Sequence, residues 1–313
     1  MTPTPMTSAD RTSPARPARW LVTGAGGKLG RDLLAVLGTD PGADVTALTR
    51  AKLDITDRDA VHKAVGDHDI VVNAAAWTDV DGAEAAEPAA TAVNGAGVRY
   101  LAEACARSGA RLLHVSTDYV FSGESGTPYP EDAVPRPVNA YGRSKLAGER
   151  AVAELLPHHG YVVRTGWLYG ASGRDFPTTM LELAERHPAV DVVNDQQGQP
   201  TWAHAAAGQL AQLGRAALAG HAPPGSYHAT ASGRTTWFGF AQAVFELAGL
   251  DLSRVRPIAS TAFQRPAARP ACSVLAHGRW SAAGLAPLPD WRTSLADAFA
   301  RGVFDAVGPA PRG

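Results

Sequence analysis

The chain has 313 residues, 45% of them hydrophobic, a formal net charge of −1 and two cysteines. That balance leaves no basic footprint for nucleic acid or an acidic membrane, and no apolar run approaches the roughly 20 residues of a membrane span. Cys105 and Cys272, far apart in sequence, offer neither a disulfide framework nor metal-ligand spacing, so the expected setting is a soluble, cytoplasmic one with one large or two interleaved domains.

Residues 1–18 are rich in Thr, Pro, Ser, Ala and Arg and lack an apolar stretch, which predicts a disordered tail rather than a secretion signal. Trp20 to Thr23 reads as a short strand. It runs into Gly24-Ala-Gly-Gly27-Lys28-Leu29-Gly30 and an apolar-periodic helix from Leu29 to Leu37. Strand, glycine loop and helix together form the context of a dinucleotide site. Gly24 makes the turn, Gly27 lets backbone approach a pyrophosphate at the helix N-terminus, and Gly30 packs helix on strand.

A second strand, Asp44 to Thr49, ends at Arg50. An acidic residue there would hold the ribose 2′-hydroxyl of NADH, whereas an arginine suits the 2′-phosphate of NADPH; an exposed loop arginine is the plainer alternative. Asp54 and Ile55 are candidates for the adenine side, with Thr56 or Asp57 capping the next helix. A third strand, Asp69 to Asn73, ends in Ala74, Ala75, Ala76, Trp77 and Thr78, small residues that let backbone pass close to a cofactor. Glu84 to Ser108 reads as one helix with Asn94 near its middle.

The fourth strand, Arg111 to Val115, stops at Ser116, Thr117, Asp118 and Tyr119. The C-terminal edge of an open α/β sheet is where ligands bind. After a Pro/Gly-rich loop, Glu124 to Asn139, read as a lid or substrate wall, Tyr141 and Lys145 fall four apart on one helix face. A phenol beside an ammonium makes a proton donor whose pKa is lowered toward neutrality. A hydroxyl at Thr117 can hold a carbonyl oxygen beside it. Tyr-x-x-x-Lys alone occurs on many helix faces; its pairing with the glycine loop is what points to ketone reduction.

Alternation of strands and helices predicts an α/β fold, a Rossmann-type doubly wound parallel sheet with a smaller C-terminal substrate-binding lobe. Residues 19–165 form the NAD(P)-binding domain. Residues 166–313 form mainly the lobe, with some elements returning to the sheet; they include a strand at Ser226 to Ala229 and helices ending near Ala219 and Ala248.

The segments GAGGKLG (24–30), VNAAAWTDVDGAE (72–84), HVSTDYVFSG (114–123), NAYGRSKLAGE (139–149) and RTGWLYG (164–170) occur in that order. They are followed by NDQQGQPT (194–201), YHATASGRTTW (227–237) and RPACSVL (269–275). Together they resemble the dTDP-4-dehydrorhamnose reductase family of extended short-chain dehydrogenase/reductases. The resemblance implies hydride transfer from NADPH, or NADH, to the C4 ketone of a dTDP-sugar, with Tyr141 as proton donor. It implies that Lys145 lowers the Tyr141 pKa and bonds the nicotinamide ribose, and that Thr117 bonds the carbonyl. Asp118, Tyr119 and Trp167 would contact the sugar, and Arg269 the diphosphate. A homodimer is compatible with it. Some relatives bind magnesium through carboxylates at positions that align with Asp32 and His204; no metal is assigned. Reduction of a different dTDP-4-keto-deoxysugar, as in dihydrostreptose supply, is the near alternative. Sugar-nucleotide epimerisation and a non-catalytic role like the regulatory subunit of methionine adenosyltransferase are the more distant ones.

Overall fold

The computed structural model describes residues 16–305. The expected disordered tail therefore lies outside the described residues except at its end. There Ala18, counted with the tail, already opens β1 (Ala18–Thr23), because its amide donates to the Gly42 carbonyl and it pairs with Ala43.

β2 (Ala43–Leu48), β3 (Ile70–Asn73), β4 (Arg111–Thr117) and β5 (Gly160–Thr165) join β1 in one parallel sheet, completed by the edge strand Gly225–His228. The spatial order is Gly225–His228, β5, β4, β3, β1, β2. The chain leaves β1 to one side for β2 and returns to the other for β3. The crevice at that switch point is where such sheets take ligands. Register pairs Thr23 with Asn73 and Asn73 with His114, and β4 and β5 run three residues further to the paired Thr117 and Thr165 at the same C-terminal side of the sheet.

Two apolar layers cover the sheet. On one face α1 (Lys28–Gly38) and the helix Ala203–Leu218 pack with Trp20, Val22, Leu113 and Tyr227. On the other, α2 (Arg58–Val65) and the helix Val98–Ser108 pack with Leu21, Val71 and Leu112. A third cluster, with Tyr169, Leu181, Phe240, Val244 and Leu295, is the core of the smaller lobe. The C-terminal elements that join the sheet are the helix Ala203–Leu218 and the strand Gly225–His228.

The helix expected over Glu84 to Ser108 is interrupted. Short helices at Val80–Ala85 and Glu87–Thr91 lead into a π-helical turn, Ala92–Gly97, before Val98–Ser108. Buried Asn94 sits in that turn. Its amide accepts from the Trp77 amide and donates to the Trp77 carbonyl and to Ser144 Oγ, fixing the post-β3 loop to the helix Ala140–Leu155. A π turn moves one side chain out of helical register, and such insertions gather at functional sites.

Candidate active site

β4 continues two residues beyond the expected Val115, carrying Ser116 and Thr117 to the sheet edge before a 3₁₀ turn, Asp118–Val120. The helix Ala140–Leu155, capped by Asn139 through the Gly142 amide, brings Tyr141 and Lys145 alongside. These residues line a cavity of about 1060 Å³. Its walls also include Gly24, Gly27, Lys28, Leu29 and Gly30, then Arg50, Asp54 and Ile55, then Ala74, Ala75, Ala76 and Thr78, and Asp118, Tyr119 and Trp167. The volume is at the upper end for a small-molecule pocket and suits a dinucleotide with a second ligand.

The glycine loop fits a dinucleotide on structural grounds. Gly24 has φ +68°, and a Cβ there would lie 2.4 Å from the Ala75 amide nitrogen, so only glycine allows the loops after β1 and β3 to meet. α1 begins at Lys28 with Gly27 as N-cap, no side-chain cap and no acidic residue in its first turn. Its N-terminal amides carry the positive end of the helix dipole and have no side-chain partner, as a phosphate site requires. Arg31 and Arg50, both exposed, stand on the same wall beyond it.

Not every side chain points where spacing suggested. Lys28 turns its ammonium away from the glycine loop, donating to Ser172 O at 2.6 Å and to Asp175 at 2.8 Å. Asp54 accepts from the Thr56 amide and hydroxyl, closing its own turn. Arg269 is paired with Asp81 and lies beside Tyr119, and it is not a lining residue of the cavity. None of the lining residues comes from the loop Glu124 to Asn139, the expected lid. Tyr129 anchors that loop: it stacks on Phe121 and exchanges backbone bonds with the Val274–Ala276 segment.

The electrostatics also depart from expectation. Burial pushes the Tyr141 phenol up to about 12, against a lowering by the Thr117 hydroxyl beside it. The Lys145 ammonium donates to Val115 O at 2.7 Å. Burial pulls Lys145 down to about 8, with Glu149 holding it up. Burial also raises Asp118 to about 6, against donation from Ser273 and Thr117.

Sequence reasoning missed Trp237, which stacks on Trp167 with ring centroids 3.5 Å apart. Trp167 itself has φ +50°, a conformation that a tryptophan adopts only under constraint. Gly198, packed under its indole, and Trp237 supply that constraint. Both lie in motifs that were noted, but nothing in a linear motif says that two indoles stack. Arg31, Thr49, Thr165 and Arg174 also line the cavity unforeseen.

For the metal that some relatives hold, Asp32 is half-buried, faces His204 and Lys28, and has one carboxylate oxygen without a partner. Among the described residues no three His, Cys, Asp or Glu side chains gather as a metal site.

The family model described as the RmlD substrate binding domain matches residues 18–303. dTDP-4-dehydrorhamnose reductase of Streptomyces griseus is 54% identical, over 96% of this chain and 99% of that one. dTDP-4-keto-6-deoxy-D-glucose reductase of Streptomyces niveus is 49% identical, over 90% and 96%. The solved structure of dTDP-4-dehydrorhamnose reductase from Bacillus anthracis str. Ames in complex with NADP superposes with a TM-score of 0.86 at 35% identity, covering 91% of this chain and 99% of that one. The chain belongs to the dTDP-4-dehydrorhamnose reductase family.

Proposed function

We propose that this protein reduces the C4 ketone of dTDP-4-dehydro-L-rhamnose to dTDP-L-rhamnose, using NADPH in preference to NADH. The observation that carries the reading is the meeting, in one cavity, of Thr117, Tyr141 and Lys145 with an uncapped glycine-loop helix terminus. When bound, the dinucleotide supplies a hydride to the ketone carbon. Tyr141, whose buried phenol keeps its proton, gives that proton to the oxygen as negative charge develops there. Thr117 holds the same oxygen. Lys145, anchored by Val115 O, would supply positive charge to the developing anion and would hold the nicotinamide ribose. Trp167 and Trp237 form an apolar wall for the sugar. A diphosphate role for Arg269 requires it to bind while still held by Asp81.

A second reading, reduction of another dTDP-4-keto-deoxysugar, is favoured by the Streptomyces niveus relative, whose identity falls only a little below that of the Streptomyces griseus enzyme. A cytoplasmic location and assembly as a homodimer complete the proposal; among the described residues no helix is long and apolar enough to cross a membrane.

The test is a coupled assay. The dTDP-4-keto-6-deoxyhexose is generated in place, with and without a 3,5-epimerase, and NADPH loss is followed with NMR identification of the product. Epimerase-dependent turnover to dTDP-L-rhamnose, reduced on the order of 100- to 10,000-fold in Tyr141→Phe, is expected. Turnover to a different sugar moves the protein to the second reading. Absence of NADPH loss with every substrate overturns both.

A further inference from the structure

We propose that Asp118 is a positioning residue for Thr117, and that its protonated carboxyl frees the Thr117 hydrogen to bond the ketone oxygen. The inference rests on the reductase reading and concerns a carboxyl that sequence reasoning assigned to the sugar. A threonine hydroxyl has one hydrogen to donate. Here Thr117 Oγ1 gives it to Asp118 Oδ1 at 3.0 Å, while Thr117 Oγ1 itself accepts from the Tyr119 amide at 3.2 Å. The other Asp118 oxygen accepts from Ser273 Oγ. The carboxyl is 4% exposed and lies against Gly166, where a Cβ would come within 2.6 Å of Asp118 Cγ. Asp118 is enclosed beside Gly166 and held by Ser273, so Thr117 keeps this partner within hydrogen-bond distance.

With Asp118 ionised, the Thr117 hydrogen is therefore spent before a ketone arrives. When Asp118 takes a proton from water in the cavity, the bond reverses: the carboxyl O–H donates to Thr117, and the Thr117 hydrogen turns to the substrate. The titratable groups facing the carboxyl are the phenols of Tyr119, on the same turn, and Tyr141, on the facing helix. Burial holds both phenols up, so neither carries charge in this range. From the β5 side it meets Gly166, and from the RPACSVL segment Ser273. Arg269, beside Tyr119, is held by Asp81, and Lys145 by Val115 O. An anionic substrate that displaces water would raise the Asp118 pKa further.

The test combines a ligand-free readout with pH profiles. Infrared difference spectra of the unliganded protein should show a protonated carboxyl band that disappears as pH rises through about 6 and is missing in Asp118→Asn. kcat/KM should fall about tenfold across the same range, as for partial loss of one hydrogen-bond donor. In Asp118→Asn, whose amide donates to Thr117 permanently, that step should flatten to within twofold. Ser273→Ala removes a bond that favours the ionised form and should move both the band and the step to higher pH. A carboxyl band that titrates below pH 4 overturns the proposal without touching the reductase reading. So does a step that persists in Asp118→Asn with KM raised and kcat kept, the signature of a sugar ligand.

Discussion

Lys145 shows how burial and catalysis act on one group. Its spacing from Tyr141 was legible from the four-residue interval. Its partner was not, because the choice between a phenol and the Val115 carbonyl depends on how close β4 lies to the helix. Burial outweighs the pull of Glu149 and brings the ammonium down to about 8 from 10.5. The sign follows directly: the charged form is lost as pH rises through about 8, and with it the positive charge proposed to assist the developing anion. kcat/KM should fall above pH 8, in a step separate from the one assigned to Asp118. Lys145→Met should abolish that upper step and lower the plateau on the order of 100-fold. A profile for this variant that still falls above pH 8 would assign the step to another group. Arg269 gives the same lesson about legibility. Its place in RPACSVL could be read, but its pairing with Asp81 across 188 positions could not.

At the scale of elements, the glycine loop has a structural role beside the phosphate site proposed for it. Lys28, the first residue of α1, reaches the Ser172 carbonyl and the Asp175 carboxylate. Asp175 in turn caps the helix Phe176–Arg186 through the Thr178 amide, in a reciprocal capping box, and accepts from the Gly170 amide. The two side chains are 16% and 1% exposed, so the pair ties the cofactor loop to the smaller lobe out of reach of screening by solvent. Removing one partner of a buried pair leaves the other charge uncompensated, which costs about 3–5 kcal/mol. Lys28→Met should therefore lower the unfolding free energy by that order, seen as a lower urea midpoint at an unchanged m value, and adding Asp175→Asn should recover part of the loss. Additive losses from the two substitutions would show that the charges are uncoupled. Element types were largely readable here: β1 to β5 and the Tyr141 helix follow from apolar runs and caps. The π turn at Asn94 was not. It arises because that amide satisfies the Trp77 backbone and Ser144 together, and tertiary bonds of that kind leave no local pattern.

The whole molecule is two lobes around one cavity. A boundary at residue 165 was a fair reading of the motifs, yet the helix Ala203–Leu218 packs on α1, with Gly214 against the Trp20 ring, and the strand Gly225–His228 closes the sheet edge. An alanine-rich amphipathic helix reads the same whichever layer it covers, so the sequence predicts that elements return to the sheet without saying which layer this helix joins. The consequence is that cavity walls come from both lobes: Arg50 and Thr78 from the sheet side, Trp167, Arg174 and Trp237 from the other. A dinucleotide bound there engages the folded state alone and stabilises it by about 2.7 kcal/mol at one hundred times its Kd. For a chain of this size that is an upward shift in Tm of several degrees. With Arg50 at the end of β2 to meet a 2′-phosphate, NADPH should raise the Tm more than NADH at equal concentration. In Arg50→Ala, the NADPH shift should fall to that of NADH while the NADH shift stays within a degree. A variant in which the two shifts remain apart would move the phosphate contact to Arg31, on the same wall. A wild type stabilised equally by both cofactors would remove the preference for NADPH and leave the ketone chemistry intact.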